Sequence, residues 1–162
     1  MVGTLRTELA DRGFATLSIQ MPILAVDAKA EDYPPTFPEA AERIAEAAGF
    51  LKAKGYLQIA LVSHSMGSRM SMAYMAGPDP AVKSWASLGI SVGDCTALKL
   101  PVLDLYGDSD LPPVLTNAGK RKQSLAAKDS KQAMIARADH FFTGREAGMA
   151  AAVAGFLNAT LK

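Results

Sequence analysis

Metal-ligand and disulfide chemistry are almost absent from this chain. Its 162 residues include one cysteine, Cys95, and two histidines, His64 and His140. A single cysteine excludes an intrachain disulfide framework, and so few ligands do not make a structural zinc site, so neither a metal nor a cofactor is expected. An excess of either charge is missing too. The 17 basic and 16 acidic residues leave a formal charge of +1, which gives no electrostatic case for nucleic acid. The one basic cluster, Lys120-Arg121-Lys122, reads as a solvated helix face. No apolar run nears the roughly 20 residues of a membrane span, and no charged segment followed by an apolar core opens the chain, so a cytoplasmic location is expected. No glycine-rich loop follows a strand with phosphate-cradling spacing, which sets aside a nucleotide-binding domain.

What is present is an ordinary globular composition, 49% hydrophobic and 20% charged, with length for one domain over residues 1–162. Leu5 and Leu9 stand four apart in Thr4–Arg12, and Gly13 closes that first helix. Phe14–Gln20 reads as a buried-type strand ended by Met21-Pro22. Ile23–Phe37 reads as a loop over the strand ends. Thr36, Pro38 and Glu39 announce a helix, with Thr36 as cap and Glu39 completing a reciprocal box. Its stripe is Ile44, Ala48 and Leu51, and Gly55 stops it. Further strands are expected at Gln58–Ser63, Lys83–Ile90, Pro101–Tyr106 and Lys131–Ala136, and helices at Ser68–Ala76, about 113–128 and about 145–161. Alternating βα units of this kind predict an α/β fold: a doubly wound, mostly parallel sheet of about five strands, helices on both faces, and ligands at the carboxyl ends of the strands. The cluster Met66, Met70, Met72 and Met75 is read as core packing, as is Trp85.

The most informative stretch is Gln58 to Ala76. An apolar strand runs into Ser63-His64-Ser65-Met66-Gly67 and then into a helix, so the chain must reverse within a few small residues. That is the setting of a nucleophile elbow, in which a serine on a strained turn stands above the strand ends with its successor's N–H aimed at the same point. Ser65 is the nucleophile of this reading, and the Met66 N–H is the oxyanion donor. Gly67 satisfies the need for a small residue, while Ser63 stands where glycine is usual.

Serine needs an imidazole to take its proton, and that imidazole needs a carboxylate to hold its tautomer. The elbow order requires Ser, then Asp or Glu, then His at successive strand ends. Asp108 and Asp110 follow the Pro101–Tyr106 strand, and His140 follows the Lys131–Ala136 strand. His64 adjoins Ser65 and projects away from it, so it is assigned to packing or loop hydrogen bonding, and His140 is the base by elimination as well as position.

These residues resemble the α/β-hydrolases. The strand Thr16–Pro22, the elbow Ser63–Gly67 and the turn Ala138-Asp139-His140-Phe141-Phe142 are similar to those of a branch of small bacterial members without an assigned substrate. The resemblance covers nearly the whole chain. It implies an acid in a Gly-x-x-Asp pattern, which counted from Gly107 selects Asp110, with Asp108 as runner-up and Asp139 left to local hydrogen bonds. It also implies three earlier strands and a glycine-rich loop that have no counterpart here. The strands at Phe14–Gln20 and Gln58–Ser63 are therefore expected either to pair directly or to leave an open edge that forms a homodimer. The second oxyanion donor then falls to Val2, Gly3 or a partner chain. The function so implied is a serine hydrolase of the carboxylesterase type, cleaving small or short-chain esters through an acyl-enzyme on Ser65. The alternative is a catalytically inactive domain that serves as a binding or assembly module.

Overall fold

The computed structural model describes residues Met1–Lys162. Four parallel strands form one sheet in the order β1 (Ala60–His64), β2 (Ser84–Leu88), β3 (Val102–Gly107), β4 (Lys131–Ile135). Five helices surround it: α1 (Val2–Ala10), α2 (Phe37–Ala53), α3 (Met66–Met75), α4 (Pro112–Ser124) and α5 (Glu146–Thr160). Two short 3-10 turns, Ala30–Asp32 and Pro34–Thr36, precede α2.

Period-two alternation in the strands divides the core. Ala86 and Leu88 of β2 with Leu103 and Leu105 of β3 point to one face, where Leu5 and Leu9 of α1 and Met149, Val153 and Phe156 of α5 cover them. Trp85 and Val102 point to the other, against Ile44 and Ala48 of α2 and Tyr74 and Met75 of α3. β2 lies inside the sheet and is buried along its whole length, whereas edge strand β1 is only half-buried. Met70 and Met75 are core side chains, as their helical spacing implied.

Four sequence expectations are corrected. Phe14–Gln20 is not a strand: from Ala15 to Ile23 no backbone group joins a backbone–backbone hydrogen bond, and the Gln20 carbonyl instead accepts from Arg43 Nη1 at 2.6 Å. Its apolar residues have strand character, but a strand exists only where a neighbour supplies ladder partners, and β1 pairs with β2 alone. Direct pairing of the two segments, one of the two expectations, is thus not realised. Thr36 does not cap α2; it is already in the helical region, and its hydroxyl donates to the Tyr33 carbonyl at 2.7 Å. Arg121 is not on a solvated face. It is fully buried, with Nε donating to Asp104 at 2.8 Å and Nη1 to the Val114 carbonyl at 3.0 Å. Consecutive basic residues on a helix face different directions, about 100° apart, so one of three can turn inward where a carboxylate waits.

Candidate active site

β1 ends at His64, and the chain turns into α3 within one residue. That residue is Ser65, with φ 55° and ψ −121°, a conformation that costs a side-chain-bearing residue strain and is held by its neighbours. The Ser65 N–H donates to the Leu88 carbonyl of β2 at 2.9 Å, and the Ser65 carbonyl accepts the first helical bonds from Ser68 and Arg69. Met66 N–H, the first of α3, donates to no backbone acceptor and stands at the positive end of the helix. Ser63 does more than tolerate the turn. Its hydroxyl accepts from Trp85 Nε1 at 2.8 Å and lies 3.3 Å from Ser68 Oγ, tying β1, β2 and α3 together. The space between strand and helix is ample, since a Cβ added at Gly67 would meet only the Ser63 Cβ, at 4.0 Å.

His140 and Asp110 arrive from the ends of β4 and β3. His140 Nε2 lies 2.8 Å from Ser65 Oγ, and Nδ1 lies 2.6 Å from Asp110 Oδ1. A carboxylate only accepts, so Nδ1 carries the proton and Nε2 is free to receive one from serine. Asp110 is buried and also accepts from the Leu111 N–H at 2.7 Å. The structure thus brings Ser65, His140, Asp110 and Met66 to one place.

Asp108 stands apart from them. Its carboxylate accepts from the Arg137 N–H at 2.8 Å, which with the Ser109 hydroxyl holds it below the usual carboxylate range. Together with the bond from Ser109 N–H to the Ala138 carbonyl, it staples the β3–α4 loop to the β4–α5 loop. Asp139 accepts from the Thr143 and Phe141 N–H groups, which lower its carboxyl pKa and shape the turn that carries His140. That turn closes at Phe142, fully buried at φ 56°, a strained anchor beside the histidine.

His64 makes no hydrogen bond to Ser65 Oγ. Its Nε2 donates to the His140 carbonyl at 2.8 Å, and the two rings lie 4.6 Å apart. Burial pushes its imidazole below the ordinary value, against the pull of that same hydrogen bond.

A cavity of about 180 Å³ opens beside Ser65, lined by Met66, Arg69, Gly89, Leu111, Val114 and His140 among others. Val2 and Gly3 are not among the residues that line it. A wider groove of about 520 Å³ lies along Leu17, Ile19 and Phe50, away from these groups. Sequence reading missed two lining residues of consequence. Gly89 follows β2 with φ +60°, and a Cβ there would stand 2.9 Å from His140 Cε1. Its signal was a glycine at a strand's carboxyl end. Arg69 was legible only as the one charged residue in the first turn of the helix that follows the serine.

No family model matches the chain, and no curated protein does. Solved structures do. The chain is similar to the dienelactone hydrolase of Anabaena variabilis, with 21% identity, a TM-score of 0.78, and coverage of 99% of this chain and 79% of that one. It is similar to the esterase domain of a Rhodothermus marinus protein, with 18% identity, a TM-score of 0.72, and coverage of 99% and 81%. A protein of Thermoplasma acidophilum described as a predicted CIB-like hydrolase matches with 18% identity and a TM-score of 0.62 over 76% of this chain. The chain spans 60% of that protein's length. These likenesses show that the chain has the α/β-hydrolase fold, here with a sheet of four strands.

Proposed function

We propose that the chain is a serine hydrolase cleaving small carboxylic esters through an acyl-enzyme on Ser65. The observation that carries this reading is the continuous hydrogen-bonded path Ser65 Oγ, His140, Asp110, at 2.8 and 2.6 Å, on a strained turn at a strand end. Ser65 Oγ attacks the ester carbonyl carbon while its proton passes to His140 Nε2. The buried Asp110 carboxylate stabilises the resulting imidazolium and keeps its orientation. The oxyanion forms against the Met66 N–H. As the carbonyl re-forms, the C–O bond to the alcohol breaks, and His140 returns the proton to the departing oxygen. Water then attacks the acyl carbon, giving its proton to His140, and Ser65 leaves with that proton as the carboxylic acid is released. In this reading the Met66 N–H is the one donor of the oxyanion hole, supported by its lack of a backbone acceptor and its place beside the cavity. A missing second donor costs on the order of 10²–10³ in rate, so slow turnover is expected. The small cavity favours short acyl groups.

Intact-mass analysis after exposure to a fluorophosphonate tests the reading. One adduct on the parent and none on Ser65→Ala or His140→Ala, all three folded by circular dichroism, is the expected result. A folded parent without adduct would sink it. The open outer edge of β1 favours a second reading, an inactive module that associates through that edge, including as a homodimer. Sedimentation that shifts with concentration, with no labelling of Ser65, is its signature.

A further inference from the structure

Arg69 lies in the first turn of α3, directly after the turn residue Ser65, and it lines the same cavity as Ser65 and His140. Its guanidinium is fixed from two sides. Nη1 donates to the Ala30 carbonyl at 3.1 Å, and the guanidinium carbon lies 5.7 Å from the centre of the Phe37 ring. Nε and Nη2 have no protein acceptor, and no carboxylate pairs with this arginine. Arg12, Arg43 and Arg121, by contrast, each have one. The acidic residues beside Ala30 form no ion pair with it: Asp32 accepts from its own turn at Lys29 N–H, and Glu31 pairs with no cation. Otherwise the lining is apolar or neutral, apart from the imidazole of His140.

A pre-oriented guanidinium with free donors, facing a nucleophile across a small cavity, matches a planar carboxylate better than any neutral group. We propose that Arg69 is a specificity-determining residue that selects monoesters of short dicarboxylic acids. The free carboxylate docks on Nε and Nη2, and the ester carbonyl lies over Ser65. Ser65 and Arg69 line one cavity of about 180 Å³, a volume that suits a short linker such as a succinyl or glutaryl chain. The inference rests on the serine-hydrolase reading and adds the substrate class to it.

The test compares kcat/KM for p-nitrophenyl hemisuccinate with that for its neutral methyl ester, in the parent, Arg69→Gln and Arg69→Lys. A hydrogen-bonded ion pair predicts a parent preference for the anionic ester of about 10- to 100-fold. In Arg69→Gln that ratio collapses to about one or below, and in Arg69→Lys, which keeps the charge, most of it remains. Because each ratio is taken within one protein, a general loss of activity or of folded protein leaves it unmoved. A parent that hydrolyses both esters equally, or an Arg69→Gln ratio equal to the parent's, overturns the inference while Ser65 labelling leaves the hydrolase reading standing. Turnover of neither ester together with no Ser65 adduct overturns both.

Discussion

Gly89 lies against the His140 ring, and replacing it with alanine tests the geometry directly. The residue has φ +60°, and a Cβ there would lie 2.9 Å from His140 Cε1, 3.0 Å from its Nδ1 and 3.3 Å from Asp110 Oδ2. Carbon atoms in contact prefer about 3.5–4.0 Å. The imidazole must therefore retreat by at least about 0.6 Å, or the β2 end must move. Backing away from Gly89 pulls the ring off one or both of its partners at 2.8 and 2.6 Å, carrying a hydrogen bond beyond the usual range of about 2.5–3.2 Å. A misplacement near 1 Å costs on the order of 10²-fold in rate, so Gly89→Ala is expected to lose about that factor in kcat. Left-handed backbone with a Cβ adds about 1–2 kcal/mol of destabilisation, a few degrees in melting temperature for a chain of this size.

Hydrolysis of p-nitrophenyl acetate gives the rate, the second-order rate of fluorophosphonate labelling gives nucleophile activation, and thermal melting gives the stability. Gly148→Ala in α5 is the control. A Cβ there meets nothing within 4 Å, so it is expected to be as active as the parent and no less stable. A Gly89→Ala protein that melts near the parent and labels at the parent's rate would refute the placement of the His140 ring.

Gly107→Ala should fail to give folded protein by circular dichroism, because its Cβ would fall 2.1 Å from the Ala138 carbonyl oxygen, backbone that cannot yield. Arg121→Met leaves the buried Asp104 carboxylate uncompensated and should cost about 3–5 kcal/mol in denaturant unfolding; Asp104→Leu added to it should restore much of that loss. His64 is held neutral by burial, so the unfolded chain binds its proton at a higher pH than the folded one, and stability falls as pH drops below about 6.5. Melting temperatures followed from about pH 8 to pH 5 should show that decline, and His64→Gln, which keeps a donor for the His140 carbonyl, should flatten it. Asp108 and Asp139, whose carboxyls are held low by N–H donors, add a separate loss below about pH 4 that this variant leaves in place.

The four paired strands were legible because each is a short run bounded by turn residues, and their parallel direction followed from the alternation with helices. Phe14–Gln20 carries the same local signal and is not a strand, since pairing depends on a neighbour that no local pattern encodes. Arg121 shows a related limit. Its inward turn is set by Asp104, 17 residues earlier, whose single charge in an apolar strand was the available clue. The serine, the histidine and the two candidate aspartates were legible from their order after successive strands. What separated Asp110 from Asp108 lay in the loops: one carboxylate turns inward beneath the imidazole, and the other faces out to join two loops.

That division of labour explains how a sheet of only four strands holds the constellation. Ser65 is tied by its N–H to β2, not only to the edge strand that carries it, and Ser63 adds a second tie through the buried Trp85. Asp110 is wrapped by its own turn, receiving the N–H groups of Leu111 and Gly107. His140 is held in place through the Asp108 staple on one side and the His64 bond to its carbonyl on the other. Every support comes from β1, β2, β3, β4 or the loops at their carboxyl ends, and none comes from the unpaired Phe14–Gln20 segment. Ser65, His140 and Asp110 are therefore held by the paired strands and the loops at their carboxyl ends, while the outer edge of β1 has no neighbouring strand. Supplying a strand-forming peptide to that edge should leave the labelling rate of Ser65→Ala at zero. If the peptide docks a second N–H near Met66, it should raise the parent's turnover without changing the stoichiometry of its adduct.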